Sequence, residues 1–111
     1  MKMIIAIVAS YRMENVIEEL NKIQVYRKTI SNVLGVGQSH KEVYRGLVET
    51  GDLIKKVRFE IAVADDRVEA VINAFAAASE YTDQDGKIFV MNIEECIQMG
   101  TGKRGSEAVG Q

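Results

Sequence analysis

The chain reads as an α+β domain, a ferredoxin-like βαββαβ plait in which four strands form an antiparallel sheet, two helices cover one face, and a long loop separates strands two and three. Three observations predict it. Short stretches rich in Ile and Val recur four times, two intervening segments carry apolar residues at three- and four-residue spacing, and the order is strand, helix, strand, strand, helix, strand. With only two helices, one sheet surface stays uncovered although strands one and three carry apolar residues that would face it. Burial of that surface against further copies of the chain is expected.

The first strand is the run Met3 to Ala9, whose Ile and Val content suits the centre of a sheet or a strand covered on both faces. A helix follows from Arg12 to Ile23. Met13, Val16, Ile17, Leu20 and Ile23 recur on one side, Glu14, Glu18, Glu19 and Lys22 fall largely on the other, and Ser10 is placed to act as N-cap. The second extended stretch, Tyr26 to Val36, alternates Thr29, Ser31 and Val33 with Ile30, Asn32 and Leu34 before Gly35-Val36-Gly37. Residues 38–53 are polar, contain two more glycines and have no period, so they form a long loop of the kind more often functional than passive. The third strand sets Val57, Phe59, Ile61 and Val63 against Lys56, Arg58, Glu60 and Ala62. Asp65 and Asp66 then cap a second helix running from Arg67 to Ser79, with Val68, Val71, Ile72, Phe75 and Ala76 on one side. A polar link, Glu80 to Gln84, leads into the last strand, which opens Asp85-Gly86-Lys87-Ile88-Phe89-Val90.

At 111 residues, with 47% hydrophobic and 27% charged residues, the chain is expected to be a single domain (1–111) with enough apolar material for a core of its own. A net charge of −2 without a basic block leaves no electrostatic footprint for nucleic acid or an anionic membrane. Cys96 is the one cysteine and has no internal disulfide partner, and the N-terminal apolar run is too short for a signal peptide or a membrane span. The expected location is the cytoplasm, with membrane contact only through a partner.

The same residues argue against an enzyme. His40 is the sole histidine and no second His or Cys is near it, so it is not assigned a metal. Cys96 has no local histidine to activate it and reads as a small thiol of the core. Glu18-Glu19 and Glu94-Glu95 are adjacent, so they point apart and read as solvated faces rather than acid–base pairs. Asp85-Gly86-Lys87 carries more chemistry: the glycine lets backbone N–H groups approach an anion and the lysine supplies countercharge, which suits phosphate. On local pattern alone it also reads as an ordinary turn entering a strand.

Taken with the second-strand glycines, these residues carry a resemblance through nearly the whole chain. The N-terminal strand, Thr29, Gly35-Val36-Gly37, Tyr44-Arg45-Gly46, Lys56-Val57-Arg58-Phe59-Glu60-Ile61, Asp65-Asp66, Asp85-Gly86-Lys87-Ile88-Phe89-Val90, Ile93-Glu94-Glu95 and Thr101-Gly102-Lys103-Arg104-Gly105 occur in order and near family spacing. In this the chain resembles the PII signal-transduction superfamily, as a divergent, PII-like member. The resemblance implies a non-catalytic homotrimer that senses adenine nucleotides in clefts between subunits and docks on a transporter or enzyme through its T-loop, here residues 38–53, with residues 97–111 as a C-terminal tail.

By the same resemblance Thr29, Gly35, Val36, Gly37, Glu60, Ile61, Ala62, Asp85, Gly86, Lys87 and Phe89 line the cleft, the Gly35 bend of one chain meeting the Lys87 hairpin of its neighbour. Lys56 matches the lysine at the T-loop base that helps hold an oxo-acid effector. Ser39, His40, Lys41, Tyr44 and Arg45 belong to the effector- and partner-facing loop, with Tyr44 and Arg45 the better interface anchors.

The departures bear on the ligand. Two arginines that usually grip the outer phosphates stand here as Gln98 and Gly100, and the arginine after the glycine turn is Gln38. Each lost guanidinium removes a charge-assisted contact of about 1.5–3 kcal/mol. The resemblance then implies ADP or AMP rather than ATP, with Lys103 and Arg104 folding over to restore part of the charge. A shorter T-loop with Gln38 and Ser39 near the effector position argues against coupling to 2-oxoglutarate, and Leu47 and Glu49 replace the residues modified in other members. The favoured pathway is inorganic carbon, with bicarbonate as co-signal, as in relatives linked to bicarbonate uptake and carboxysomes. One alternative is a nitrogen regulator that responds to ATP and 2-oxoglutarate and acts on an ammonium transporter, and another is a structural or metal-binding trimer akin to the cation-tolerance proteins.

Overall fold

The structure, a computed structural model, describes residues 1–36, 53–79 and 86–110. Strands β1 (Lys2–Ala9), β2 (Thr29–Gly35), β3 (Ile54–Val63) and β4 (Lys87–Asn92) form one antiparallel sheet in the order β2-β3-β1-β4. Helices α1 (Met13–Lys22) and α2 (Val68–Ser79) pack against each other and into the same core, and a short α3 (Ser106–Val109) ends the described chain. This is the expected ferredoxin-like βαββαβ plait. The two longest strands, β1 and β3, take the two central positions.

Alternation in the strands decides what is buried. Ile4, Ala6 and Val8 of β1 and Val57, Phe59, Ile61 and Val63 of β3 point to the helices and are nearly inaccessible, as are Val16 and Leu20 of α1 and Val71, Ala74, Phe75 and Ala78 of α2. The Phe59 and Phe75 rings meet edge to face, with centroids 5.5 Å apart, and tie sheet to helix. Helix α1 ends in a Schellman arrangement: the Val25 N–H donates to the Leu20 carbonyl at 2.9 Å and the Gln24 N–H to the Asn21 carbonyl at 2.9 Å. Gln24 carries the left-handed conformation this requires, at φ 66, and Val25 buries its side chain beside Leu20.

Several local expectations give way. Ser10 and Asp65–Asp66 do not cap α1 and α2; each lies in a single 3-10 turn, Ser10–Arg12 or Asp65–Arg67, that leads into its helix, and no side-chain cap is made at either turn. The Asp65 carboxylate instead accepts a hydrogen bond from the Met1 ammonium at 2.7 Å. On α2 the buried face holds Ala74 and Ala78 where Ile72 and Ala76, now half-buried, were expected. A helix that is apolar on nearly every side gives hydrophobicity little basis for choosing its inner face. The strands also shift, β2 beginning at Thr29 rather than Tyr26 and β3 at Ile54 rather than Lys56.

Candidate functional site

Cross-strand pairing resolves the open face of the sheet into rows, because residues directly opposite in an antiparallel ladder point the same way. Ser31, Arg58, Ile7 and Lys87 form one row, and Thr29, Glu60, Ile5 and Phe89 the next. Beyond Arg58 towards the Gly35 end lie Val33, Lys56 and Ala9; on the other side lie Ala62, Met3 and Met91. Among the paired strands, the open face therefore carries three cations, Lys56, Arg58 and Lys87, gathered towards one end, and one acid, Glu60, at their border. The other end is apolar. Strand β3 contributes charge to this face instead of the apolar residues expected of it.

Most of the described cleft residues reach this face. Gly35 closes β2 opposite Ile54, with exposed Val36 just beyond it, and Gly86 precedes Lys87 at the start of β4. A Cβ at Gly35 would meet only the Lys56 side chain, at an ordinary 3.5 Å, so packing within the protomer does not require glycine there. Gly35 and Gly86–Lys87 leave the same end of the same sheet, on its two edges, so one protomer presents both without a neighbour. Thr29, Glu60, Ala62 and Phe89 share the open face, Phe89 at 48% exposure. Ile61 does not: its side chain is 1% exposed in the core, and only its backbone can line a cleft. Gly37, Gln38, Ser39, His40, Lys41, Tyr44, Arg45 and Asp85 lie outside the described residues.

The C-terminal cations are elsewhere. Strand β4 runs from Lys87, opposite Ile7, to Asn92, opposite Lys2, so the tail starts roughly 17 Å from the Lys87 level. There the chain turns in a small hairpin: the Gln98 N–H donates to the Lys103 carbonyl at 2.9 Å and the Gly105 N–H to the Cys96 carbonyl at 2.9 Å, with Gly102 and Gly105 both at φ +72. Arg104 pairs with Glu95 at 2.7 Å, and Lys103 is exposed. Val109 of α3 is buried beside a cavity of about 170 Å³ that Tyr26, Arg27, Ala62 and Arg67 also line. Lys28, next to Thr29, donates to the carbonyls of Val25 and Tyr26 at 3.0 and 2.7 Å, and burial lowers its pKa.

Sequence reasoning assigned no role to Arg58, which it read as one of the polar positions of β3. Its guanidinium Nε lies 2.9 Å from a Glu60 carboxylate oxygen. The approach is too oblique for a hydrogen bond, so the Nε–H, shielded from solvent, has no acceptor among the described residues. Only the strand register, which places Arg58 level with Lys87, marks it out. Among the described residues no three of His, Cys, Asp and Glu cluster to hold a metal ion, and no helix is long and apolar enough to cross a membrane.

The sequence profile of the nitrogen regulatory protein P-II family matches residues 1–103. Nitrogen regulatory protein P-II of Cereibacter sphaeroides is 39% identical over 113 residues, covering 98% of this chain and 100% of that protein. Nitrogen regulatory protein GlnK of Escherichia coli (strain K12) is 34% identical over 113 residues, with 98% and 100% covered. The crystal structure of Arabidopsis thaliana PII bound to citrate matches with a TM-score of 0.78 at 32% identity, covering 99% of this chain and 90% of that one. These names are regulatory rather than catalytic, and they favour the nitrogen-regulatory alternative over the inorganic-carbon reading. The chain belongs to the nitrogen regulatory protein P-II family, a family of regulatory proteins and not of enzymes.

Proposed function

We propose that this protein is a nitrogen-regulatory signal protein that assembles as a homotrimer, binds adenine nucleotide in clefts between protomers, and acts on a transporter or enzyme through residues 38–53. The observation that supports this most is the placement of Gly35, Gly86 and Lys87 at one end of one sheet, on its two edges, with Lys56 and Arg58 between them on the uncovered face. Lys103 and Arg104 sit at the other end, so an anion held by Lys87 meets them only if it lies between two copies. This divides the cleft differently from the sequence expectation: Gly35 and Lys87 come from one chain and the tail from its neighbour. With Gln98 and Gly100 in place of arginines and Arg104 engaged by Glu95, the cleft favours ADP or AMP over ATP. A relative of this fold that binds citrate, a small polyanion, lends further support.

Titration calorimetry tests the reading. ADP and AMP are expected to bind, ATP more weakly, and Lys87→Gln to weaken ADP by about tenfold or more, the cost of one charge-assisted contact. Heat from none of the three nucleotides overturns it. An ADP affinity that shifts with bicarbonate, and not with 2-oxoglutarate, would return the protein to inorganic carbon.

A further inference from the structure

Resting on that reading, we propose that Arg58 is a phosphate-binding residue of the cleft, taking over on the sheet itself the part of the guanidiniums missing at positions 98 and 100. Arg58 and Lys87 occupy the same row of the open face, separated by the single strand that carries Ile7. Their backbones are two strand spacings apart, about 10 Å, a gap that a diphosphate between two long cationic side chains can bridge. Ile7 between them is apolar and half-buried, and it competes for neither cation.

The guanidinium is held ready rather than consumed. Glu60 faces it at 2.9 Å without a directed hydrogen bond, so the shielded Nε–H donor has no acceptor among the described residues to give up when the side chain turns to a ligand. A phosphate brings the same charge with better-placed acceptors, so the guanidinium leaves Glu60 for the ligand, and the carboxylate is freed as the anion binds. Lys56, one row away, stands too near the loop end to replace it in the Lys87 row. Arg104 is at the far end of the protomer and bound to Glu95.

The test is a phosphate ladder. Adenosine, AMP and ADP are titrated into wild type, Arg58→Gln and Arg58→Lys by calorimetry, with circular dichroism confirming that each variant is folded. In wild type, affinity rises from adenosine to ADP. Arg58→Gln is expected to leave adenosine unchanged and to lower ADP affinity by about 10- to 100-fold, while Arg58→Lys, which keeps the charge and loses the fork, recovers part of that loss. A ladder equally steep in wild type and in both variants overturns the role of Arg58 while nucleotide binding stands. No binding of any of the three to wild type removes the nucleotide reading and this inference with it.

Discussion

The two faces of this sheet are built from alternate residues of the same strands, yet they obey different rules. On the helix side, Ile4, Phe59 and Ile61 are 0 to 1% exposed and the buried residues are all apolar. On the open side, Phe89 and Met91 are 48% and 45% exposed, and the half-buried Arg58 and Glu60 of two adjacent rows form an ion pair. Burial alone accounts for the first face. The second keeps apolar side chains in water and charges half out of it, an arrangement that costs stability in a lone protomer unless another copy, a ligand or both complete it. The charges collect at the glycine end and the apolar residues at the other.

The largest effect is expected on the covered face. Phe59→Ala removes a fully buried ring and its edge-to-face contact with Phe75, and should cost about 3–5 kcal/mol of stability, seen as a large fall in thermal midpoint. Assembly and ligand binding would be lost with it. Phe89→Glu on the open face should do the reverse: protomers that keep their far-UV circular dichroism but sediment as monomers, because a carboxylate replaces an exposed apolar ring on the face that the proposed trimer would cover. A variant that still sediments as the wild-type assembly would show that this end of the face is not the subunit contact.

Sequence alone gave access to the covered face and much less to the open one, for a physical reason. Val57, Phe59, Ile61 and Val63 announce their burial by alternation, and Val16 and Leu20 by helical spacing, since both patterns are local. Which residues of different strands stand side by side is set by register, and no single segment encodes it. Thus parity sends the Ile61 side chain to the core and leaves only its backbone for a cleft, while Arg58 stands level with Lys87 through register alone. The caps failed for a related reason: a carboxylate such as Asp65 has several partners within reach, and the Met1 ammonium, 64 residues away in sequence, is the one it meets. The glycines at 35 and 86 are legible because their chemistry is local, whereas their placement at the same end of the sheet depends on register.

The smallest effect separates the two faces most cleanly. Gln24 holds φ 66 at the end of α1, a left-handed conformation that an L side chain adopts at a cost of about 1 kcal/mol and glycine does not. Gln24→Gly keeps both backbone hydrogen bonds of the Schellman turn and changes no residue of the charged rows of the open face. Glycine also gains freedom in the unfolded chain, which offsets part of the relief, so the expected net gain is about 0.5 kcal/mol in chemical denaturation. Sedimentation and the affinity for ADP should not move. If the thermal midpoint rises and ADP affinity falls, the helix layer and the ligand end are coupled through the sheet, and the two faces are not the independent surfaces that their chemistry describes.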